Sequence, residues 1–263
     1  MPYRIDVRDP PGEAFDRLVG LGALDVEPLA GGLAALLPDG VAVASVKSAL
    51  GVDRVSVSPA KGHDDGSVWL LSRRPVRVGR LLIVPSDVPA PSGALRLSDG
   101  PAFGTGLHPT TALCLEALDE TLSVEGPSRV LDVGTGSGVL ALAALLGGVA
   151  RAVGLDIDVE ALRVAAENAR LNDFAARLGL VQGGPEAVRG QWPLVLANVL
   201  PAPLMEMASA LVRRVEHRGR LVLSGIPSSL STDVEQVYRR LGMRRVRLET
   251  RAGWTALVLN PSW

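Results

Sequence analysis

A single cysteine, Cys114, stands among 263 residues, so the chain can form neither an internal disulfide nor a cysteine-rich metal site. Cys114 lies inside an apolar helical pattern, and a chain without a disulfide framework is expected in the cytoplasm. Aromatic residues amount to only 3%, which makes each of the four tryptophans and three phenylalanines worth following individually. Long apolar runs are also missing. The most apolar stretch, residues 139–150, is too short to span a bilayer, and the opening MPYRIDVRDP has no apolar signal-peptide segment, so no membrane association is expected. Charge of one sign is not in excess either: the formal net charge is −1, which excludes a global positive field for holding nucleic acid by its phosphates and leaves only local patches. There is no internal repeat and no low-complexity tract.

What the chain does have is VLDVGTGSG at residues 130–138. Val130, Leu131 and Val133 suit a buried parallel strand. Gly134, Gly136 and Gly138 allow a sharp turn and the close approach of a ligand to bare backbone, before a helix that starts near Ser137. A dinucleotide fingerprint is spaced G-x-G-x-x-G and delivers a pyrophosphate to the helix N-terminus. Here the spacing is G-x-G-x-G with Asp132 just ahead of it, and a carboxylate at that point repels a pyrophosphate. It suits a ligand with an amino group and a positive sulfur, the features of S-adenosylmethionine. A glycine turn that merely packs a helix on a strand is the alternative.

The length accommodates one large α/β domain, or a catalytic domain of roughly 180 residues and a small companion. Residues 1–58 read as strand, helix, strand, strand, helix, strand, with Gly31–Gly32 at the hairpin turn. That is a split βαβ, ferredoxin-like α+β unit. No residue in it looks catalytic, and a recognition module is expected there, a structural role being the alternative. Residues 59–67, PAKGHDDGS, are polar and aperiodic and mark the expected linker; His63 within it is expected to be solvated. Residues 68–263 then form the expected catalytic domain. It begins with two strand-like runs around Arg73, Arg74, Arg77 and Arg80, which read as a solvated edge, with an acidic-partner patch as the alternative.

PAFGTGLHPTT at 101–111 is the second stretch with chemistry in it. Pro109 falls where the first turn of a helix tolerates it, and Thr110 to Glu120 follow an amphipathic pattern. Capping alone explains His108, Thr110 and Thr111, but not Phe103 and two glycines ahead of them. A loop that covers a cofactor explains both, with hydroxyls and N–H groups for a carboxylate and an aromatic face for a sulfonium. Downstream, a strand ends in Asp156, about 20 residues past the glycines, where a carboxylate accepts both ribose hydroxyls. Ile157 offers apolar contact to an adenine, and Asp158 caps the next helix. A further apolar strand, 194–197, ends at Asn198, beyond the carboxyl ends of the strands where open α/β sheets bind ligands. An amide there can accept a hydrogen bond from a nitrogen nucleophile; a turn-forming Asn is the alternative. The chain closes with a strand pair, 244–249 and 254–259, as a reversed strand inserted by a hairpin does. His217 is expected at a helix C-terminus.

AFGTGLHPTT, LDVGTGSG, GLDID and ANVLPAPL, in that order and at these spacings, resemble the PrmA family, the bacterial methyltransferases of large-subunit ribosomal protein eleven. The similarity covers about 160 residues from Pro101 onward and is carried most specifically by HPTT. The fold it implies is α/β, a Rossmann-like class I methyltransferase sheet with a reversed C-terminal strand, behind the small ferredoxin-like domain. The resemblance implies S-adenosylmethionine as cofactor, S-adenosylhomocysteine as product, and methylation of lysine ε-amines and the N-terminal α-amine of that ribosomal protein. It also implies a substrate-binding N-terminal domain on a mobile linker.

Carried over, Thr111, Gly134, Asp156 and Asn198 are cofactor residues, while Phe103, Thr105 and His108 close over the methionine part. Asp132, Gly136 and Ile157 complete the cofactor bed from the reading above. Asn198 and His108 are the catalytic candidates, the first orienting the amine and the second a possible proton relay, with capping as the other reading of His108. Thr135 stands where many relatives carry cysteine. Asn198 is followed by Val-Leu-Pro and not the Pro-Pro-aromatic of many N-methyltransferases, so no aromatic clamp for the amine can be named. No metal, no stable nucleic-acid binding and a monomer are expected. The rivals are an RNA N-methyltransferase, given the arginines at 73–80 and 239–251, a nicotinamide-dependent oxidoreductase, and a non-catalytic binding module.

Overall fold

The computed structural model describes residues 1–60, 62–63, 68–69, 75–98 and 108–263. Phe103 and Thr105, with the other residues of 99–107, and Arg73 and Arg74 lie outside them. By its internal contacts the chain divides into two compact units, Met1–Arg73 and Arg74–Trp263. No helix among the described residues is long and apolar enough to cross a membrane.

The first unit runs β1 (Tyr3–Arg8), α1 (Ala14–Gly20), β2 (Asp25–Leu29), β3 (Gly32–Leu37), α2 (Val43–Leu50) and β4 (Ser56–Pro59). Its sheet has the order β2-β3-β1-β4 with every pairing antiparallel, which is the ferredoxin-like arrangement. Alternation in β1 turns Ile5 and Val7 inward, where they meet Leu18, Ala35, Leu37, Val46 and Leu50 in one core. Gly31, at φ +73, supplies the turn; at Gly32 a Cβ would lie 2.3 Å from the carbonyl oxygen of Val7, so only glycine lets β3 run so close to β1. The polar stretch after Pro59 is not aperiodic throughout. β5 (Gly62–His63) pairs with β6 (Val68–Trp69), because a two-residue ladder needs only backbone groups and no apolar pattern.

The second unit opens with a three-stranded sheet, β7 (Val76–Val78), β8 (Leu81–Pro85) and β9 (Leu95–Leu97). β9 follows a proline-rich connection and has only three residues, too few to show a period. Then come α3 (Pro109–Glu125), β10 (Arg129–Val133), α4 (Val139–Leu146), β11 (Arg151–Asp156), α5 (Val159–Leu171), β12 (Leu178–Gln182) and β13 (Trp192–Asn198). The chain ends with α6 (Pro201–Glu206), α7 (Ala208–Arg213), β14 (Val215–Pro227), α8 (Ser231–Arg240), β15 (Met243–Arg251) and β16 (Trp254–Pro261). The seven-stranded sheet has the order β12-β11-β10-β13-β14-β16-β15. Its first five strands are parallel, and β16 lies antiparallel between β14 and β15. The reversed strand is therefore where the closing strand pair pointed.

Each strand of the centre buries both faces. Val130, Leu194, Leu196, Val222 and Val258 pack on the side of α3 and α4, whereas Leu131, Val133, Val195, Ala197, Leu221 and Leu223 pack with Leu204, Leu211 and Tyr238 on the other. That explains the unbroken apolar runs. α4 is apolar on every side and correspondingly buried from Val139 to Leu145. One expectation fails here. His217, expected at a helix C-terminus, lies in β14, because Val215 already pairs with Trp192, and the chain ahead of it forms two short helices, α6 and α7.

Candidate active site

The three glycines of 134–138 all adopt left-handed backbone, at φ +71, +54 and +81, a region that glycine alone enters without strain. Their loop is tied back to β11. The N–H groups of Gly134 and Thr135 both donate to Leu155 O at 2.8 Å, Gly136 N–H donates to Asp156 Oδ2 at 2.9 Å, and Gly138 N–H donates to Thr135 O at 2.8 Å. A pyrophosphate cradle needs such N–H groups turned toward the ligand, and here four of them already have protein acceptors. Gly134 also meets the next loop: a Cβ there would stand 2.3 Å from Val199 Cγ1.

Asp132 is not beside the ligand-facing surface, as its place ahead of the glycines had implied. It is 0% exposed, under the loop. Its Oδ2 accepts from Thr135 Oγ1 at 2.7 Å and from Ala141 N–H at 3.2 Å, while Oδ1 has no partner among the described residues. Burial pushes the carboxyl up to about 6, against the hydrogen bonds of Thr135 and Ala141, with the charge of Asp156 adding a smaller push upward. The physical reason is alternation: Asp132 shares the α3 side of the sheet with Val130, one residue short of the strand end. Cys114 of α3 lies on the same side. Its thiol is driven strongly upward by burial and by the nearby Asp132, and a hydrogen bond with Ser224 opposes that.

Asp156 ends β11 and stays partly exposed. Besides Gly136, it accepts through Oδ1 from Asp158 N–H at 3.0 Å. A carboxylate offers about four acceptor positions, so two remain for hydroxyls. Ile157 beside it is 80% exposed, a bare apolar side chain at the carboxyl end of the sheet. Asp158 caps α5 by accepting from Glu160 N–H at 2.9 Å.

α3 begins where Pro109 implied and runs five residues further than the amphipathic pattern, to a left-handed Gly126. His108 is its N-cap. Nδ1 accepts from Thr110 N–H at 3.3 Å and lies 2.7 Å from Thr110 Oγ1; the ring is 2% exposed and meets Trp254 edge-on at 5.1 Å. With Nδ1 as acceptor, the neutral ring carries its proton on Nε2. This geometry gives His108 a structural task. Thr111 is 0% exposed and accepts from Asn198 Nδ2 at 3.4 Å, so residues 87 positions apart meet across the α3 side of the sheet. That bond sets the amide's orientation, and Asn198 Oδ1 is buried without a partner among the described residues.

Three contributors were not legible in sequence. Trp254 starts β16 and holds His108 from the sheet side. Gly225, at φ +81, passes beneath the Asn198 turn, where a Cβ would stand 2.3 Å from Val199 O; a glycine inside a strand pattern was the available signal. Asn168 of α5 donates from Nδ2 to Ser137 O at 2.9 Å, and nothing short of tertiary contact marks it.

A family model described as "Ribosomal protein L11 methyltransferase (PrmA)" matches residues 41–261. Among curated relatives, the ribosomal protein L11 methyltransferase of Geobacter sulfurreducens is 40% identical over 208 residues, 77% of this chain and 68% of its own length. That of Pelobacter propionicus is 38% identical over 217 residues, covering 80% and 70%. A crystal structure of ribosomal protein L11 methylase from Lactobacillus delbrueckii subsp. bulgaricus superposes with a TM-score of 0.67 at 29% identity, covering 73% of this chain and all of that one.

Proposed function

This chain belongs to the ribosomal protein L11 methyltransferase (PrmA) family, and from that membership we propose that it methylates amine nitrogens of ribosomal protein L11 with S-adenosylmethionine. The residues present fit that cofactor. Asp156 keeps acceptor positions for ribose hydroxyls, and exposed Ile157 beside it suits an adenine face. The consumed N–H groups of the glycine loop disfavour the pyrophosphate of a nicotinamide dinucleotide. Gly134, Gly136 and Thr111 shape the bed, Asp132 supports it from beneath, and Phe103 and Thr105 belong to the same reading as neighbours of the methionine part.

When bound, the cofactor supplies an electrophilic methyl group on a sulfonium. The protein's part is to deliver an uncharged amine to it in line, which is chiefly positioning. Asn198 carries this reading: a buried amide oxygen without a partner, oriented through Nδ2 by Thr111, is an acceptor awaiting an N–H donor. An amide has no useful basicity, so Asn198 holds the amine and does not deprotonate it; water takes the proton. His108 serves in this reading by fixing the start of α3, and hence Thr111.

The targets proposed are lysine ε-amines and the N-terminal α-amine, with the first unit recognising the ribosomal protein and the chain working as a monomer in the cytoplasm without stable nucleic-acid binding. The arginines toward the C-terminus support a protein over an RNA substrate. Arg245 pairs with Glu235, Arg247 with Glu120 and Glu249, and Arg251 with Glu116, so three of the six arginines between 239 and 251 are offset by carboxylates. The test is transfer of labelled methyl to isolated L11 or to ribosomal RNA, with mass spectrometry of the modified residues. Label in L11 amines is expected, and label confined to RNA overturns the substrate. Asn198→Ala is expected to lower turnover by roughly a hundredfold, far more than it weakens S-adenosylhomocysteine binding. Full turnover with unchanged binding removes Asn198 from the mechanism.

A further inference from the structure

Asn168 is 0% exposed, and both ends of its amide are engaged by segments distant in sequence. Oδ1 accepts from Ser98 N–H at 2.7 Å and from Ser98 Oγ at 2.8 Å, at the end of β9. Nδ2 donates to Ser137 O at 2.9 Å, inside the glycine loop. One turn later Asn172 makes the first half of this pattern without the second. Its Oδ1 accepts from Arg96 N–H at 2.8 Å and its Nδ2 donates to Arg96 O at 2.6 Å and to Asn168 O at 2.7 Å. Two asparagines at i and i+4 thus stitch α5 to β9, and one of them also reaches the cofactor bed.

We propose that Asn168 is a positioning residue for cofactor binding, holding the Ser137 carbonyl so that the glycine loop keeps its ligand-receiving shape. This rests on the methyltransferase reading of the site. Ser137 lies between two left-handed glycines, so the backbone on either side has wide conformational freedom and needs an external brace. It also precedes Gly138, the N-cap of α4, which places its carbonyl outside the helix's own hydrogen-bond ladder. The contact with α5 is close along this face: a Cβ on Gly138 would stand 3.1 Å from Ala165 Cβ, one turn before Asn168. The brace is therefore a packed helix and not a mobile side chain.

The matched pair of asparagines makes the test. Calorimetric titration with S-adenosylhomocysteine, steady-state kinetics and ligand-free melting are measured on the full chain and on Asn168→Ala, Asn168→Asp and Asn172→Ala. Asn168→Ala is expected to bind about tenfold more weakly, with the S-adenosylmethionine KM raised and kcat little changed. Asn172→Ala is expected to lose comparable melting temperature while its affinity stays within about twofold, since its bonds reach only β9 and its own helix. Asn168→Asp retains the acceptor toward Ser98 but sets an oxygen against the Ser137 carbonyl, so it is expected to weaken binding like Asn168→Ala; it also serves if the alanine variant does not fold. Wild-type affinity in both Asn168 variants, or equal losses in Asn168→Ala and Asn172→Ala, overturns this inference alone. A wild-type chain that does not bind S-adenosylhomocysteine overturns the functional reading beneath it.

Discussion

Asp132 and Asp156 are the same side chain on adjacent parallel strands, and the fold gives them opposite environments. Asp132 pairs in register with Gly154, two residues short of Asp156, which amounts to roughly 7 Å along the strand. Over that distance the carboxylate passes from the interior to the mouth of the sheet. Asp132 is fully enclosed and pins Thr135 to the start of α4; Asp156 stays partly exposed, ties down Gly136 and keeps lone pairs to offer. An acidic residue beside a glycine-rich turn is thus read correctly only when its depth along the strand is known. Depth decides whether it supports the loop or meets what the loop holds.

The largest expected effect that tests this contrast is a pH dependence. The folded-state pKa of Asp132 is raised to about 6 from an ordinary carboxyl value, so the folded protein holds its proton more tightly than the unfolded chain. Stability from this group is then fully present below the unfolded pKa and is lost as pH rises through about 6, a change on the order of 3 kcal/mol. Asp132→Asn keeps an oxygen where Oδ2 accepts both bonds and cannot ionise. Denaturant melts between pH 4 and 7 should show the slope in the wild type and not in the variant; identical slopes would mean that Asp132 is not enclosed as described.

At the mouth, Asp156→Ala should weaken S-adenosylhomocysteine binding by tens of fold, from the loss of charge-assisted hydrogen bonds to hydroxyls, with a smaller loss of stability. Near-native affinity would remove the contrast from the other side. The smallest effect belongs to Thr135→Val, which cuts one of the two bonds to Asp132. It should cost about 1 kcal/mol of stability near neutral pH and push the Asp132 transition upward, while binding changes by less than about threefold. A binding loss as large as that of Asp156→Ala would place Thr135 in the ligand site.

The ferredoxin-like unit and the central sheet were legible because their strands alternate or run apolar for five residues or more, and because glycines and a proline mark turns and helix starts. α4 starts two residues past Ser137, close to where the glycine turn placed it, α5 starts behind Asp158 as its cap implied, and β16 inserts as the closing strand pair implied. β9, three residues long, carried no periodic signal, and the break between α6 and α7 left none either. Of the candidate site, Thr111 and Asn198 are brought together and Asp156 with Ile157 stands at the carboxyl end of the sheet, whereas Asp132 lies beneath the glycine loop and His108 caps α3. Phe103 and Thr105 lie outside the described residues. Asn168 was invisible in sequence because its partners, Ser98 and Ser137, are near it only once the sheet is assembled, and Gly225 showed only as a glycine in a strand pattern, with nothing local to point to Val199.

By itself, then, the sequence determined what acts over a few residues: the strand, turn and helix of VLDVGTGSG, the cap and proline that start α3, and the left-handed turns that only glycine makes cheaply. Those follow from backbone sterics and from periodicity, which are local. Only the tertiary structure decided which carboxylate faces outward, that Asn198 meets Thr111 from 87 residues away, and that one buried asparagine bonds the Ser137 carbonyl inside the glycine loop. Hydrogen-bond partners and burial are properties of the packed sheet and helices, and no local pattern encodes the depth at which a side chain comes to rest.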